Sequence, residues 1–309
     1  MRYISTLILI AASCFVASPA HASPVPSAQL EAATWCDAAS ATRRTVLLIH
    51  GTGATPDEAW AWNYEKTLPA AGFGVCTVTL PDRAVRDFTV SAEYAAYAAR
   101  YAYNRSGRKI AIMGHSQGGL MAVWIAKFWP DIAAHADDVI ALAGNVHGTA
   151  LANTLCVTGS CAPIAWQMAI GSHVTNAASN APLPSAPSFT SIASRDDEIV
   201  YPQPYASTVD GGTTIMVQNV CPLRIVDHGL MLADAVVYRL VLDALNHDGP
   251  ASARRIPSTT CLETTMPGID PIGAVGFAKT LTALSVGLLN ATEYVDHEPA
   301  LPAYAEPYG

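Results

Sequence analysis

The chain has 309 residues, 51% of them hydrophobic and 14% charged, with a formal net charge of −8. This composition excludes a disordered chain, which has low hydrophobicity and high charge, and a coiled coil, which is rich in Glu and Lys. Because nucleic-acid-binding domains carry basic surfaces, the acidic balance argues against a nucleic-acid partner. The length leaves room for one large domain or two small ones, each with an apolar core.

The first 22 residues have the pattern of a secretory signal peptide. Arg2 supplies a positive start, Leu7–Val16 is apolar, and an A-x-A cleavage site ends at Ala22. The apolar run is too short for a permanent membrane span. We therefore expect a secreted protein, extracellular or periplasmic, without a stable transmembrane anchor. Acylation at Cys14 is an alternative, but the residues before it match a lipobox poorly.

Short apolar runs alternate with longer helical patterns along the rest of the chain. The strand candidates are Thr45–His50, Gly74–Leu80, Lys109–Gly114, Val139–Ala143, Phe189–Ala193 and Thr213–Val220. The helix candidates are Pro56–Ala71, Ser91–Asn104, Gln117–Phe128 and Gly229–Asn246. Continuous apolar strands suit a parallel sheet covered by crossover helices. We predict an α/β fold, with residues 1–22 as the signal peptide and 23–309 as a single domain.

Other segments depart from this alternation. Residues 149–180 show no clear strand and are interpreted as an insertion over the C-terminal edge of the sheet, where such folds place their sites. A Pro-rich connector follows at 181–188. Ile272–Leu289 is mostly apolar but contains Lys279, which favours a helix lying on the domain over a membrane span. The tail from Thr264 is expected to wrap the domain.

A nucleophile candidate lies between a predicted strand and a predicted helix. Residues 114–118, Gly-His-Ser-Gln-Gly, match G-x-S-x-G, which places Ser116 on a sharp strand-to-helix turn. The helix start directs backbone N–H groups at the reacting centre. A chance match in an ordinary turn is the alternative, and the strand and helix on either side argue against it.

A glycine turn at residues 50–53, His-Gly-Thr-Gly, follows the strand candidate Thr45–His50. In hydrolases that carry G-x-S-x-G, a turn at this place supplies half of the oxyanion hole. The predicted donors to the oxyanion are the backbone N–H groups of Thr52 and Gln117, with the Thr52 hydroxyl as a possible third. An ordinary glycine turn is the alternative.

The partners of a catalytic serine of this kind follow it in the order acid, then histidine. Acid candidates cluster at 196–198, two aspartates and a glutamate after a predicted strand, where a carboxylate could orient an imidazole. His228 fits the order. His173 precedes the acids, His247 lies at a helix end where it would complement the dipole, and His297 lies in the tail.

Six cysteines remain once the signal peptide is removed. An even number in an exported chain predicts three disulfides. A zinc site is disfavoured, because neither C-x-x-C nor H-x-x-x-H spacing occurs in the chain. We expect no cofactor and no metal. The favoured pairing, one of several possible, joins neighbours along the chain: Cys36–Cys76, Cys156–Cys161 and Cys221–Cys261.

Together these segments resemble the Candida antarctica lipase B-like family of secreted α/β-hydrolases, which includes bacterial homologues. The family's Pro-Gly-Thr-Gly, Ser-Gln-Gly-Gly and Asp-Glu-Ile-Val segments correspond to residues 50–53, 116–119 and 197–200, and its histidine loop to 221–228. The resemblance runs from roughly Trp35 to the C-terminus and thins after position 261.

The resemblance implies an α/β-hydrolase fold with an insertion over the active site and a Ser116, Asp197 and His228 triad. It also implies the disulfides Cys36–Cys76 and Cys221–Cys261. The implied enzyme is a lipase-like serine hydrolase that cleaves acylglycerol-type carboxylic esters, with an ester or lipid as substrate. The alternatives are a short-chain carboxylesterase, a polyester hydrolase and an acyltransferase. A binding protein that has the hydrolase fold but no catalytic activity is disfavoured, because the residues of the expected triad are all present. We expect a monomer.

Some positions depart from the family pattern. The residue before the serine is Trp in the family and His115 here, so alcohol selectivity does not carry over. Asn145 replaces an acidic residue of the acyl pocket. Cys156 and Cys161 have no counterpart, and we expect them to stiffen a loop beside the active-site mouth. No cysteine follows Cys261, so the family's C-terminal disulfide is missing.

Overall fold

A mainly parallel sheet runs through the computed structural model, which describes residues 23–277 and 293–309. Within these ranges the sheet order is β1-β3-β2-β4-β5-β6-β7. Strand β1 pairs with β3 in the antiparallel direction, and the other neighbours are parallel. The strands are β1 Thr34–Cys36, β2 Thr45–Ile49, β3 Gly74–Val78, β4 Ile110–His115, β5 Ala136–Leu142, β6 Ser188–Ala193 and β7 Thr213–Met216.

Helices cover the sheet and fill the insertion. They are α1 Ser27–Ala32, α2 Pro56–Trp60, α3 Tyr64–Ala70, α4 Phe88–Ser106, α5 Gln117–Phe128, α6 Pro130–His135, α7 Ala150–Leu155, α8 Pro163–Gln167, α9 His173–Asn180 and α10 Ala235–Asn246. Residues 271–277 are also helical and begin the predicted helix Ile272–Leu289, whose remaining part lies outside the described residues. The predicted signal peptide lies outside them too. None of the helices in the described ranges is long and apolar enough to cross a bilayer.

The apolar strands are buried on both faces, as their sequence predicts. Successive side chains of a strand point to opposite faces of the sheet. Leu47 and Ile49 therefore pack into one core with α4 and α5, whereas Val46 and Leu48 pack into a second core with α2, α3 and α10. This double burial explains why the central strands read as continuous apolar runs.

Two predicted helices are longer than the helices that the structure contains. The candidate Pro56–Ala71 is two helices, because the Asn63 side chain accepts from the N–H of Tyr64 and donates to the carbonyl of Ala59 (2.9 Å), which starts α3 afresh. The candidate Gly229–Asn246 begins only at α10, because the carboxylate of Asp234 caps that helix by accepting from the N–H of Val236 at 2.7 Å.

The edge strand β1 was not predicted. Three residues are too few to show a pattern, and pairing with β3 defines this strand. Cys36 stands directly opposite Cys76 in the antiparallel register, and the two form a disulfide.

The C-terminal tail lies across the insertion. Val295 exchanges two backbone hydrogen bonds with Cys161 (3.1 and 3.0 Å). The carboxylate of Glu298 accepts from the N–H groups of His173 (2.8 Å) and Val174 (3.0 Å) at the start of α9, where carboxylates are favoured. Tyr304 packs against α5. The tail therefore ties the insertion to the domain.

Candidate active site

Ser116 occupies the turn between β4 and α5 at the C-terminal edge of the sheet. Its backbone adopts φ 58° and ψ −127°, a positive-φ conformation that is costly for a residue with a side chain. The N–H of Ser116 donates to the carbonyl of Leu142 (2.9 Å), and its carbonyl accepts from Gly119 (2.8 Å). Neighbouring β5 and the first turn of α5 thus hold the strained turn.

The glycines of the motif allow three chain segments to meet here. A Cβ on Gly114 would lie 1.9 Å from the carbonyl oxygen of Gly118, and one on Gly118 would lie 2.1 Å from that of Ile49. A Cβ on Gly51 would lie 2.8 Å from the Cβ of Ser116. The glycine turn after β2 therefore passes directly beside the serine.

Thr52 and Gln117 are joined across this junction. The Thr52 hydroxyl donates to Oε1 of Gln117 (2.7 Å), and Sδ of Met168 lies 3.6 Å from the same hydroxyl. Both polar side chains are buried. The two proposed oxyanion donors therefore lie on adjoining segments. Met168 comes from the insertion, where its carbonyl accepts from the N–H of Thr149 (2.9 Å), and no sequence pattern marked it.

Asp197 and His228 form a buried hydrogen-bonded pair. Nδ1 of His228 lies 3.0 and 2.9 Å from the two carboxylate oxygens, and the exposed fractions of the two side chains are 2% for His228 and 0% for Asp197. The N–H groups of Ile199 (3.0 Å) and Val200 (2.7 Å) donate to one of these oxygens. Because Nδ1 donates to a carboxylate, Nε2 carries the free lone pair of the neutral ring.

The acid candidates at positions 196–198 have different contacts in the structure. Asp196 is exposed and accepts from Nε2 of Gln218 (3.1 Å), so it lies apart from the buried pair. Glu198 accepts from the backbone N–H of His228 (3.0 Å). That contact with the main chain was not anticipated from the sequence.

The six cysteines are joined as Cys36–Cys76, Cys156–Cys161 and Cys221–Cys261. The last bridge closes the base of the loop that carries His228, and Cys156–Cys161 packs with Ala165 inside the insertion. Within the described residues no group of three or more His, Cys, Asp or Glu side chains is placed to hold a metal ion.

His50, which ends the predicted strand, is fully buried beside the glycine turn. Its Nε2 accepts from the N–H of Leu80 (3.1 Å), so Nδ1 carries the hydrogen that it donates to the carbonyl of Gly51 (2.8 Å). Burial lowers the pKa of His50 from 6.5 to about 4. The ring is therefore neutral in the native protein at neutral pH.

This burial predicts an acid-sensitive fold. Since the folded pKa of His50 lies below its unfolded value, its contribution to stability is complete above pH 6.5 and is lost as the pH falls towards 4. The difference is worth on the order of 3 kcal/mol. We expect the free energy of unfolding, measured by urea denaturation from pH 8 to 4, to decline less steeply for His50→Gln than for the wild type. Parallel declines would show that other groups control the acid response.

The comparisons with known proteins agree with this architecture. Residues 46–260 match the alpha/beta hydrolase family model. Over 294 residues the chain is 31% identical to lipase B of Pseudozyma antarctica, which covers 92% of this chain and 86% of that protein. The crystal structure of Aspergillus fumigatus lipase B superposes with a TM-score of 0.83 at 26% identity, covering 93% of this chain and 74% of that one.

A metagenome-derived lipolytic enzyme shares the fold alone. It is 16% identical with a TM-score of 0.51, and the likeness covers 69% of this chain and 97% of that one.

The parallel sheet and the strained serine turn at its C-terminal edge define the class, an α/β enzyme with a hydrolase-type elbow. The elbow is the sharp turn at Ser116 between β4 and α5. More particularly, the chain belongs to the alpha/beta hydrolase family. The resemblance inferred from the sequence motifs is confirmed, and the protein is a carboxylic ester hydrolase.

Proposed function

We propose that this enzyme is a lipase-like serine hydrolase of acylglycerol-type esters, with Ser116 as nucleophile, His228 as general base and Asp197 as its orienting acid. The observation that carries the proposal is the buried Asp197–His228 pair, with the ring of His228 packed 4.6 Å from that of His115, the residue before the serine. The position of the pair beside the elbow favours one functional unit.

The proposed reaction proceeds through an acyl-enzyme. Nε2 of His228 takes the proton of the Ser116 hydroxyl as Oγ attacks the ester carbonyl carbon. The tetrahedral intermediate places a negative charge on the former carbonyl oxygen, and the backbone N–H groups of Thr52 and Gln117 donate to it. His228 then gives its proton to the leaving alcohol, and water repeats the sequence on the acyl-enzyme.

The surface around the histidine loop supports an apolar substrate. Three apolar side chains of residues 221–230 are exposed to solvent: Leu223 at 95%, Ile225 at 77% and Leu230 at 48%. Leu262, next to the Cys221–Cys261 bridge, is 86% exposed. Large exposed apolar side chains that gather in one place mark a site for an apolar partner. A lipid ester fits this surface better than a polar one.

We also propose that the mature protein is a secreted single domain of residues 23–309. The three disulfides support an oxidising compartment such as the extracellular space or the periplasm. N-terminal sequencing of protein exported from an expressing cell would test the cleavage before Ser23.

A panel of p-nitrophenyl esters from acetate to palmitate, with emulsified triglyceride, tests the substrate class. We expect turnover to extend to medium and long acyl chains and to include the triglyceride, because the histidine loop exposes apolar side chains. The Ser116→Ala protein serves as the blank. Activity confined to acetate and butyrate would indicate a short-chain carboxylesterase. Preferred release of products from a polyester film would indicate a polyester hydrolase. Transfer of the acyl group to an added alcohol would indicate an acyltransferase.

A further inference from the structure

His115 makes a contact that the proposed reaction does not use. It is the last residue of β4, its side chain is buried, and its ring lies tilted by 43° against the ring of His228. Nε2 of His115 lies 3.0 Å from the carbonyl oxygen of His228. A carbonyl oxygen only accepts, so Nε2 carries the hydrogen and donates it.

Three side chains from two segments, the end of β4 and the loop after β6, hold His228 at three different groups. Glu198 accepts from its backbone N–H (3.0 Å), His115 donates to its backbone carbonyl (3.0 Å) and Asp197 accepts from its ring (2.9 Å). Strand β4 lies inside the sheet between β2 and β5, so His115 is anchored on an interior strand, whereas Asp197 and Glu198 lie in the loop after β6. The serine follows His115 directly, so one strand end carries both the serine and this donor.

We propose that His115 is a positioning residue that holds the main chain of His228 at a constant distance from Ser116 through its Nε2–H hydrogen bond to the His228 carbonyl. This inference rests on the proposed catalytic roles of Ser116 and His228. The imidazole must take a proton from the serine and give it to the leaving alcohol without moving away between the steps. A displacement of about 1 Å can cost on the order of a hundredfold in rate.

The ring of His115 is suited to this place because it is neutral. Burial, with the nearby His228, keeps the pKa of His115 well below 6.5. A neutral donor holds the carbonyl without opposing the positive charge that develops on His228 during the reaction. A lysine or arginine there would oppose that charge.

Two matched variants test the hydrogen bond. His115→Phe keeps a ring against His228 and Phe277 but has no donor, whereas His115→Gln carries its amide nitrogen the same number of bonds from Cα as Nε2 of histidine. For p-nitrophenyl butyrate we expect His115→Phe to lose at least about tenfold in kcat with KM within about twofold, because positioning acts on the chemical step. His115→Gln should retain most of the wild-type kcat.

Fluorophosphonate titration of each protein counts the competent serines, so that kcat refers to folded enzyme. Equal losses in both variants, a wild-type kcat in His115→Phe or a change in KM alone would overturn the proposal. If the phenylalanine variant does not fold, His115→Met replaces it as the variant without a donor. The proposed function fails separately, when Ser116→Ala remains active, whatever the His115 variants do.

Discussion

Replacing Ser116 by alanine is expected to abolish ester hydrolysis and leave the protein folded. The Ser116 oxygen forms the covalent bond to the acyl group, so its loss removes the whole acyl-enzyme route, and losses of roughly 10⁶-fold in kcat accompany such replacements. Alanine has the same positive-φ strain as serine and leaves the glycine contacts around the elbow unchanged. The measurement is initial-rate hydrolysis of p-nitrophenyl butyrate, with thermal unfolding as the control for the fold.

Covalent labelling gives an independent check of the nucleophile. A fluorophosphonate should modify Ser116 in the wild type, and peptide mapping should find no modified serine in Ser116→Ala. A variant that keeps a tenth of the wild-type turnover, or label recovered on another serine, would contradict the assignment.

Asp197→Asn is expected to lose most of the wild-type kcat for ester hydrolysis, and Asp196→Asn is expected to keep nearly all of it. An asparagine side chain at 197 can donate its amide hydrogen to Nδ1 of His228, which moves the ring hydrogen to Nε2 and blocks proton uptake from the serine. The same replacement in a comparable triad costs about 10⁴ in kcat. Asp196 is exposed and contacts Gln218, so its replacement should change kcat by less than about twofold.

The two aspartate variants are matched, because each removes one negative charge from neighbouring positions and carries the same side chain. Their kcat and KM on p-nitrophenyl butyrate are compared directly. Equal losses would indicate a general electrostatic effect, and the reverse order would make Asp196 the acid.

Elements with a strong local pattern were predicted closely. Helix α5 has the predicted limits Gln117–Phe128, and each of the six predicted strands is present with shifted ends. Local sterics explain this agreement, since the small residues around Ser116 are what a strand-to-helix turn requires. The three disulfides join the cysteines as the favoured pairing predicts.

Elements whose limits depend on side-chain caps, or on pairing with distant strands, were predicted wrongly or were not predicted. The division of Pro56–Ala71 depends on Asn63 bonding to a neighbouring turn, and the start of α10 depends on the Asp234 cap. Strand β1 exists because β3 pairs with it. Helical periodicity alone does not reveal such local competition.

The sequence by itself determined the fold class and the serine turn and predicted a serine, an acid and a histidine in that order, because motif chemistry and strand periodicity are local properties of the chain. The local pattern left the acid open among positions 196–198, and the family resemblance selected Asp197, whose carboxylate contacts His228 in the structure. Only the tertiary structure decided that Met168 of the insertion lies beside Thr52 and that His115 bonds to the histidine's own carbonyl. These contacts join segments that are from 31 to 116 residues apart. Packing of the sheet edge against its loops brings them together, and no local pattern in the sequence encodes that packing.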